Sequence, residues 1–424
     1  LTTAPPHPHP SPHTPSLFHH HPPLPPQMSA SRVFIVGAKR TPFGAFGGSL
    51  KDWTPTQLGA HATRAALADA GVAPELVDTT VFGNVQQTCG DGIYLARHIA
   101  LDAGIPYEAP SLTVNRLCGS GFQSIINVAQ DMMCGDAAIG VAGGAESMSS
   151  APFAVRGTRW GTKLGVDTPM IDTLWEGLTD AREKMPMAMT AEKLAEQYGI
   201  DKNAADELAF RSQTLWKRAH EAGVFDAEIA PMELKGRKGA TITFAHDEHA
   251  RPDASLESIA KLKALFKKDG VVSAGNASGI SDGAGALVLA TEEAVAEHDL
   301  TPLARLAGWH YAGVDPTIMG IGPVPAIEGL LSKTGKSLDE IDRIEINEAF
   351  AAQLASCEKA LQVDRTKLNV NGGAVAMGHP TGASGARITG HLAHQMANDK
   401  SIGLAIGSAC IGGGQGIALL LERV

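Results

Sequence analysis

Residues 111–141 read SLTVNRLCGSGFQSIINVAQDMMCGDAAIGV, and this stretch decides the fold. Ser111 to Val114 predicts a short strand, the glycines after Cys118 permit a tight turn, and Gly119 to Met133 has the apolar spacing of a helix. Ala137 to Val141 predicts a buried strand after it. A strand, a turn, a helix and a second strand in close succession indicate a doubly wound α/β architecture.

The alternation continues on both sides of this stretch. Val33 to Val36 and Thr79 to Phe82 predict strands, and Pro55 to Ala70 predicts a helix that ends at Gly71. Residues 334–342 (TGKSLDEID) echo residues 70–78 (AGVAPELVD), and a short strand follows each segment. This echo predicts two structurally similar halves.

Composition limits the possible functions. The chain has 424 residues, so more than one hydrophobic core is expected. The net charge of -10 argues against general binding to nucleic acid or to anionic membranes. Five cysteines without CxxC spacing argue against a disulfide framework or a zinc site, and no metal is expected. We therefore expect free thiols in a reducing compartment.

Two segments differ from the rest in composition. Residues 1–27 are rich in proline and histidine and carry no charge, which predicts a disordered extension, and we hypothesise that translation starts at Met28. Residues 403–421 are uncharged over about the length of a membrane span, but their glycines favour two buried strands joined by a turn. Residues 233–268 have an excess of Lys and Arg, which makes them the candidate phosphate-binding patch.

Cys118 is the first candidate catalytic residue. It precedes a predicted helix, where the N–H groups and the helix dipole stabilise a thiolate, so it is a candidate nucleophile. The alternative is a buried cysteine that acts as a small hydrophobe, which is the interpretation for Cys89, Cys134 and Cys357.

Three further segments contain candidate polar groups, two of them on glycine-rich turns and the third at the end of a predicted strand before a helix. His379 lies in NGGAVAMGHPTGASG (371–385), before a helix that starts near Gly385. Cys410 lies in SACIGGGQG (408–416), where backbone N–H groups can face a developing oxyanion. Asn347 in EINEAF (345–350) can orient a water, donate to an oxyanion or cap a helix. None of these segments has the GxGxxG pattern of a dinucleotide loop.

Together these four segments resemble the thiolase family, and the likeness extends from about Arg32 to Val424. The segments KRTPFG (39–44), PMAMTAE (186–192), DEHARP (247–252) and IMGIGPVP (318–325) are similar to the mitochondrial type of 3-ketoacyl-CoA thiolase. The resemblance implies the thiolase fold, with two similar βαβαβαββ halves in α-β-α-β-α layers. Residues 28–148 with 281–300 would form one half, residues 301–424 the other, and residues 149–280 an inserted loop domain that binds CoA.

The resemblance also implies a role for each motif residue. Cys118 would be the acylated nucleophile, His379 its base, and Cys410 the acid and base at the substrate α-carbon. Asn347, through a water, and His379 would form one oxyanion hole, and the N–H groups of Cys118 and Gly412 the other. The residues implied for CoA and the acyl tunnel are Arg251, Ser278, Ala274, Leu178, Met187, Met319, Ala349 and Phe350.

The implied activity is CoA-dependent cleavage of 3-ketoacyl-CoA to acetyl-CoA and a shortened acyl-CoA in fatty acid β-oxidation. CoA is then a co-substrate and no cofactor is tightly bound. The alternative is an acetoacetyl-CoA thiolase, which Pro186 disfavours because the bacterial biosynthetic type has histidine there. At residue 254 this chain has Ala, where the mitochondrial enzymes have a hydroxyl residue near the nucleotide of CoA. The resemblance further implies a dimer or tetramer of identical subunits in the mitochondrial matrix, with the cytoplasm as the other possibility.

Three rival classes make different predictions. A decarboxylating ketoacyl synthase usually lacks a second cysteine, so Cys410 argues against it. A non-catalytic lipid-transfer relative tends to lose catalytic residues, and all four are present here. A nucleotide-dependent oxidoreductase would bind nicotinamide, which a fluorescence titration would detect.

Overall fold

The computed structural model describes residues 32–236 and 239–424, so the predicted extension at residues 1–27 lies outside the described residues. The strands, in chain order, are β1 (Val33–Arg40), β2 (Gly44–Ala45), β3 (Thr79–Gly83), β4 (Ser111–Val114), β5 (Ile139–Ser147), β6 (Phe153–Val155), β7 (Met170–Asp172), β8 (Thr179–Asp180), β9 (Met185–Pro186), β10 (Met232–Lys235), β11 (Thr241–Phe244), β12 (Ser281–Thr291), β13 (Ala304–Gly313), β14 (Arg343–Ile346), β15 (Leu404–Ile411) and β16 (Gln415–Glu422). The α-helices are α1 (Pro55–Ala70), α2 (Leu95–Asp102), α3 (Ser120–Cys134), α4 (Thr173–Gly177), α5 (Met187–Tyr198), α6 (Lys202–Glu221), α7 (Leu256–Ala260), α8 (Glu292–Glu297), α9 (Pro323–Thr334), α10 (Ala351–Leu361), α11 (Ala374–Met377) and α12 (Ser384–Asn398).

The large sheet consists of two runs of strands with the same order. The first run is β1-β12-β5-β3-β4 and the second is β13-β16-β15-β14, and β1 pairs with β13 to join them. In each run the first two pairings are antiparallel and the third is parallel. The two halves are therefore structurally similar, as the sequence echo predicted.

The echo also has a local structural basis. Both α1 and α9 end at a left-handed glycine, Gly71 with φ 66° and Gly335 with φ 67°. The carboxylate of Asp78 then accepts the backbone N–H groups at the start of β5, at 2.8 and 3.0 Å. Asp342 does the same at the start of β15, at 2.8 and 3.1 Å. Equivalent residues thus end the helix and align the next strand in both halves.

Helices α3 and α12 lie in the middle of the molecule. Phe122 and Ile126 of α3, with Ile388 and Leu392 of α12, share one buried cluster with strands of both halves. A second cluster lies under α1 and α2, and a third under α9 and α10. The layers are therefore helix, sheet, helix, sheet and helix, and the starts of α3 and α12 lie next to each other.

Several predicted boundaries need correction. Strand β1 continues to Arg40 rather than ending at Val36, and β5 begins at Ile139 rather than Ala137. The stretch from 403 to 421 does form two paired strands, β15 and β16, around a glycine turn. Of the helices that the structure describes, none has both the length and the apolar composition to cross a bilayer.

The predicted insert contains long helices. Leu194 of α5 and Leu208 of α6 pack in the same cluster as Leu354 of α10, so these helices are attached to the core of the second half. The exact limits of the insert and of the two halves remain predictions.

Candidate active site

Cys118 lies on a strained turn between β4 and α3. Leu117, which precedes it, has φ 47°, a left-handed conformation that is rare for a side chain of this size. The Asn115 side chain accepts the Leu117 N–H at 2.9 Å, and Ser120 Oγ donates to the Leu117 carbonyl at 2.6 Å while it accepts the Arg116 N–H at 2.9 Å. Local hydrogen bonds therefore hold the strained conformation that presents the thiol at the helix N-terminus.

Burial dominates the electrostatics of this thiol. Cys118 is half-buried, and desolvation raises the pKa of its thiol to about 11. The N–H groups of Gly412 and of Cys118 itself act in the opposite direction. The expected stabilisation of a thiolate by N–H groups is therefore present, but it is smaller than the cost of burying the charge.

The Cys410 motif packs directly on the Cys118 turn. A side chain at Gly412 would come within 3.2 Å of Leu117 Cδ1 and 3.4 Å of Met187 Sδ. A side chain at Gly119 would lie 2.6 Å from Ile411 Cδ1. The two glycines therefore allow turns from the two halves to approach closely, and the backbone N–H of Gly412 reaches the Cys118 sulfur.

His379 is held in a defined tautomer. Its Nδ1 lies 2.6 Å from Ser384 Oγ, and that hydroxyl donates to the Pro380 carbonyl at 3.1 Å. The tautomer with its proton on Nδ1 satisfies both contacts, since Nδ1 then donates to Ser384 Oγ, and we assign this tautomer. Nε2 is then the free acceptor, and it lies 3.3 Å from Asn347 Nδ2. Burial lowers the pKa of His379 to about 4, so the imidazole is neutral at pH 7.

Cys410 and Asn347 lie deeper than His379. Cys410 is fully buried beside Met319 and Ala349, and the pKa of its thiol is raised well above the usual value by burial and by the nearby Cys118 and Cys357. Asn347 is also fully buried, and its Oδ1 has no hydrogen-bond partner among the described residues. It does not cap a helix, because Phe350 is the N-cap residue of α10.

The predicted catalytic residues are thus brought together from distant parts of the chain. Asn347 contacts His379, the Gly412 turn contacts the Cys118 turn, and Cys118 raises the pKa of the Cys410 thiol. Within the described residues no hydrogen bond joins Cys118 to His379, as is common for catalytic groups before substrate binds.

A cavity of about 360 Å³ leads to His379. Of the predicted tunnel and CoA residues, those that line it are Leu178, Met187, Phe350, Ser278 and Ala274. Met319 and Ala349 do not line it and instead surround Cys410 behind Met187 and Phe350. The stacked rings of Trp175 and Phe266, with centroids 6.4 Å apart, also line the cavity.

A second cavity of about 540 Å³ shares Ala274 with the first and is lined by Arg251 and Ala254. The Arg251 side chain is exposed, and within residues 32–236 and 239–424 it donates only to the backbone carbonyls of Glu248 and Ala250. The guanidinium of Arg251 can therefore donate hydrogen bonds to a phosphate group. The predicted basic patch is partly neutralised, because Lys261 pairs with Glu257 and Lys267 with Glu196.

Two of the three cysteines interpreted as buried hydrophobes are not buried. Cys134 is exposed at the last residue of α3. Cys89 is half-buried in a loop, where burial and the adjacent Asp91 raise the pKa of its thiol to about 11. Cys357 is buried, as predicted, and donates to the Gly320 carbonyl at 3.2 Å.

Sequence reasoning missed two buried residues at the site, Ser384 and Glu146. Ser384 lies within the quoted His379 segment but was not distinguished from its small neighbours. Glu146 lies at the end of the apolar strand β5. It accepts hydrogen bonds from Val85, in the loop after β3, and from Thr381, in the turn after His379. The signal available in the sequence was an acidic residue at the end of an otherwise apolar strand.

Comparison with known proteins agrees with this geometry. The thiolase N-terminal domain model matches residues 33–293 and the thiolase C-terminal domain model matches residues 300–423. The bovine protein named "3-ketoacyl-CoA thiolase, mitochondrial" is 56% identical over 391 residues, covering 92% of this chain and 98% of the relative. The crystal structure of human mitochondrial 3-ketoacyl-CoA thiolase has a TM-score of 0.92 at 54% identity and covers 93% of this chain and 100% of its own. The human enzyme in complex with CoA has a TM-score of 0.90 at 53% identity, with 93% and 98% covered. Two domain models in series, these relatives and the shared fold together show that the chain belongs to the thiolase family.

Proposed function

We propose that the chain is a 3-ketoacyl-CoA thiolase, which uses CoA to cleave a 3-ketoacyl-CoA into acetyl-CoA and an acyl-CoA two carbons shorter. The observation that carries the proposal is the close packing of the Cys118 turn on the Cys410 motif, together with His379, which contacts Asn347 and lines a cavity. The 56% identity to a relative of that name supports the same substrate class. CoA acts as a co-substrate, and the reaction needs no resident cofactor.

In the first step the Cys118 sulfur attacks the 3-keto carbon. Because the thiol is protonated and His379 is neutral in the free enzyme, the proton passes to His379 Nε2 as the sulfur–carbon bond forms. The N–H groups of Cys118 and Gly412 face the sulfur, so they are placed to stabilise the oxyanion on the attacked carbon. Donors of this kind contribute on the order of 3 kcal/mol each.

The bond between C2 and C3 then breaks and acetyl-CoA leaves as an enolate. Cys410, whose raised thiol pKa keeps it protonated, donates its proton to C2. Asn347, through a water, and the His379 imidazolium stabilise the enolate oxygen. The products of this half-reaction are acetyl-CoA and an acyl thioester on Cys118.

Free CoA completes the cycle. The Cys410 thiolate takes the proton of the CoA thiol, and the CoA sulfur attacks the Cys118 thioester. The shortened acyl-CoA leaves, and the Cys118 thiolate recovers its proton from His379. Each group regains its starting protonation state, and ping-pong kinetics follow.

The test is CoA-dependent cleavage assayed over a ladder of 3-ketoacyl-CoA chain lengths. We expect turnover with substrates longer than acetoacetyl-CoA, since Pro186 lines the cavity and offers no polar side chain. Activity confined to acetoacetyl-CoA would favour the alternative thiolase class. Cys118→Ser should abolish turnover of every substrate, and substantial retained activity would overturn the covalent mechanism.

We also infer that the chain forms a homodimer or homotetramer. Strand β4 ends the large sheet, with Leu112 50% exposed on it and Tyr107 76% exposed nearby. Trp160, 90% exposed, and Met170 add an apolar surface on the insert. Such surfaces are typical of interfaces between subunits. Light scattering after size-exclusion chromatography should give two or four subunits, and Leu112→Lys should reduce that number, while a monomeric wild type would contradict the inference.

The mitochondrial matrix is the proposed location. The support is the similarity to relatives whose names include "mitochondrial". Fractionation of the source cells would test this, and recovery of the chain in the cytosolic fraction alone would contradict it.

A further inference from the structure

Glu146 is a buried carboxylate that connects the two halves beside the catalytic residues. It lies at the end of β5, is fully buried, and has no Lys, Arg or His partner among the described residues. It accepts five hydrogen bonds, all from neutral donors, so both oxygens act only as acceptors. That pattern fits an ionised carboxylate held by N–H and O–H groups, which act against the burial that raises the pKa of this carboxyl group.

The two oxygens of Glu146 accept hydrogen bonds from two segments of the chain. Oε1 accepts the Gln86 N–H at 3.0 Å and the Asn84 amide at 3.2 Å, both in the loop after β3. Oε2 accepts the Thr381 hydroxyl at 2.8 Å and the Gly382 N–H at 2.9 Å, both in the turn after His379. It also accepts the Val85 N–H at 3.1 Å. One side chain therefore ties the loop of the first half to the turn of the second.

Packing around this turn leaves little freedom. A side chain at Gly144, two residues before Glu146, would come within 1.8 Å of the Gly382 carbonyl oxygen. A side chain at Gly382 would lie 2.9 Å from the Gly83 carbonyl oxygen. The turn therefore lies directly on the ends of β3 and β5, and the carboxylate of Glu146 accepts hydrogen bonds from two buried donors of the turn.

We propose that Glu146 is a positioning residue, which fixes the His379 turn of the second half against the first half, where Cys118 lies. This inference rests on the proposed function and deepens it. His379 is separated from Thr381 by Pro380 alone, so a loosened turn would displace the imidazole from Cys118. Small displacements of a base lower the rate of proton transfer more than they affect CoA binding.

A paired substitution at Thr381 tests the connection without removing the charge. Thr381→Val keeps the shape but loses the hydrogen bond to Glu146, whereas Thr381→Ser keeps the bond and loses a methyl group. We expect Thr381→Val to lower kcat by about tenfold, since one hydrogen bond to a charged group is lost, and Thr381→Ser to restore most of it. Equal kcat values in the two variants would overturn the proposal.

Glu146→Gln gives a second readout that does not depend on thiolase activity. The carboxylate raises the pKa of the Cys118 thiol, so its removal should shift the pH dependence of Cys118 alkylation by iodoacetamide toward lower pH. Turnover should fall by at least about tenfold in the same variant, because the NH2 group of Gln replaces one acceptor oxygen and leaves the donors on that side of the side chain unpaired. If Glu146 contributed only to folding stability, Glu146→Gln would lower the melting temperature and leave the pH dependence of Cys118 alkylation unchanged.

Glu348→Gln is the matched control. Glu348 is equally buried and is likewise held by neutral donors, Ser212 at 2.6 Å, Asn369 at 2.9 Å and the Val375 N–H at 3.0 Å. Its substitution should destabilise the protein but leave the alkylation profile of Cys118 unchanged. A wild type without thiolase activity would refute the proposed function, whereas an active wild type whose kcat is unchanged by Glu146→Gln would refute the positioning role.

Discussion

Removal of the Ser384 hydroxyl should slow turnover by roughly 5- to 150-fold. In the structure this hydroxyl donates to the Pro380 carbonyl and accepts the Nδ1 proton of His379 at 2.6 Å. Ser384→Ala leaves that buried donor without an acceptor, which costs about 1–3 kcal/mol. The imidazole can avoid this cost by carrying its proton on Nε2, but Nε2 then cannot accept the proton of Cys118. Either outcome lowers the fraction of enzyme molecules in which His379 Nε2 can accept the proton of Cys118.

The assay is steady-state kinetics combined with rapid-quench measurement of the acyl-enzyme burst. Both kcat and the burst rate should fall, while KM for CoA stays close to the wild-type value because Ser384 does not line the cavity. Thr389→Val is the control, since Thr389 is buried in the same helix and donates to the Gly385 carbonyl at 2.8 Å. A folded Ser384→Ala enzyme with kcat within twofold of wild type would refute the tautomer argument.

Three further predictions follow from the site and the core. Alkylation of Cys118 in the free enzyme should keep accelerating up to about pH 11, because its raised pKa leaves the thiol protonated at neutral pH; a plateau below pH 8 would contradict this. Cys410→Ser should impair exchange of the α-protons of acetyl-CoA, followed by NMR in D2O, more than acyl-enzyme formation, and equal losses would speak against separate roles. Arg40→Met should destabilise the protein by about 3–5 kcal/mol in urea denaturation, because it removes the guanidinium that pairs with both buried carboxylates, Asp247 and Glu228, and leaves Glu228 with His391 alone as a basic partner among the described residues; a loss below about 1 kcal/mol would show that the ion pairs contribute little.

Elements with strong local signals were predictable from sequence. Helix α1 has Thr54 and Gln57 in a capping box, Pro55 at its first turn and a left-handed Gly71 at its end, so its observed bounds equal the predicted ones. The polar end of β1 was not predictable. Arg40 continues that strand because its charge pairs with Glu228 and Asp247, which lie far away in the sequence.

The candidate site likewise has features that were predictable from the sequence and features that were not. The catalytic motifs were visible because glycines, a proline and reactive side chains cluster locally around Cys118, His379 and Cys410. Glu146 was missed because its partners lie in segments about 60 and 235 residues away. The raised pKa of Cys118 was not predictable, since the helix terminus is a local feature and the burial that outweighs it depends on the whole fold.

The central claim is that Cys118 carries the acyl group during turnover. The most direct measurement is to mix the enzyme with a 3-ketoacyl-CoA in the absence of free CoA, quench with acid, and map the modified peptide by mass spectrometry. The account predicts one acyl group, two carbons shorter than the substrate acyl chain, on the peptide that contains Cys118. Acylation of Cys410 instead, or turnover without any acylated peptide, would contradict it.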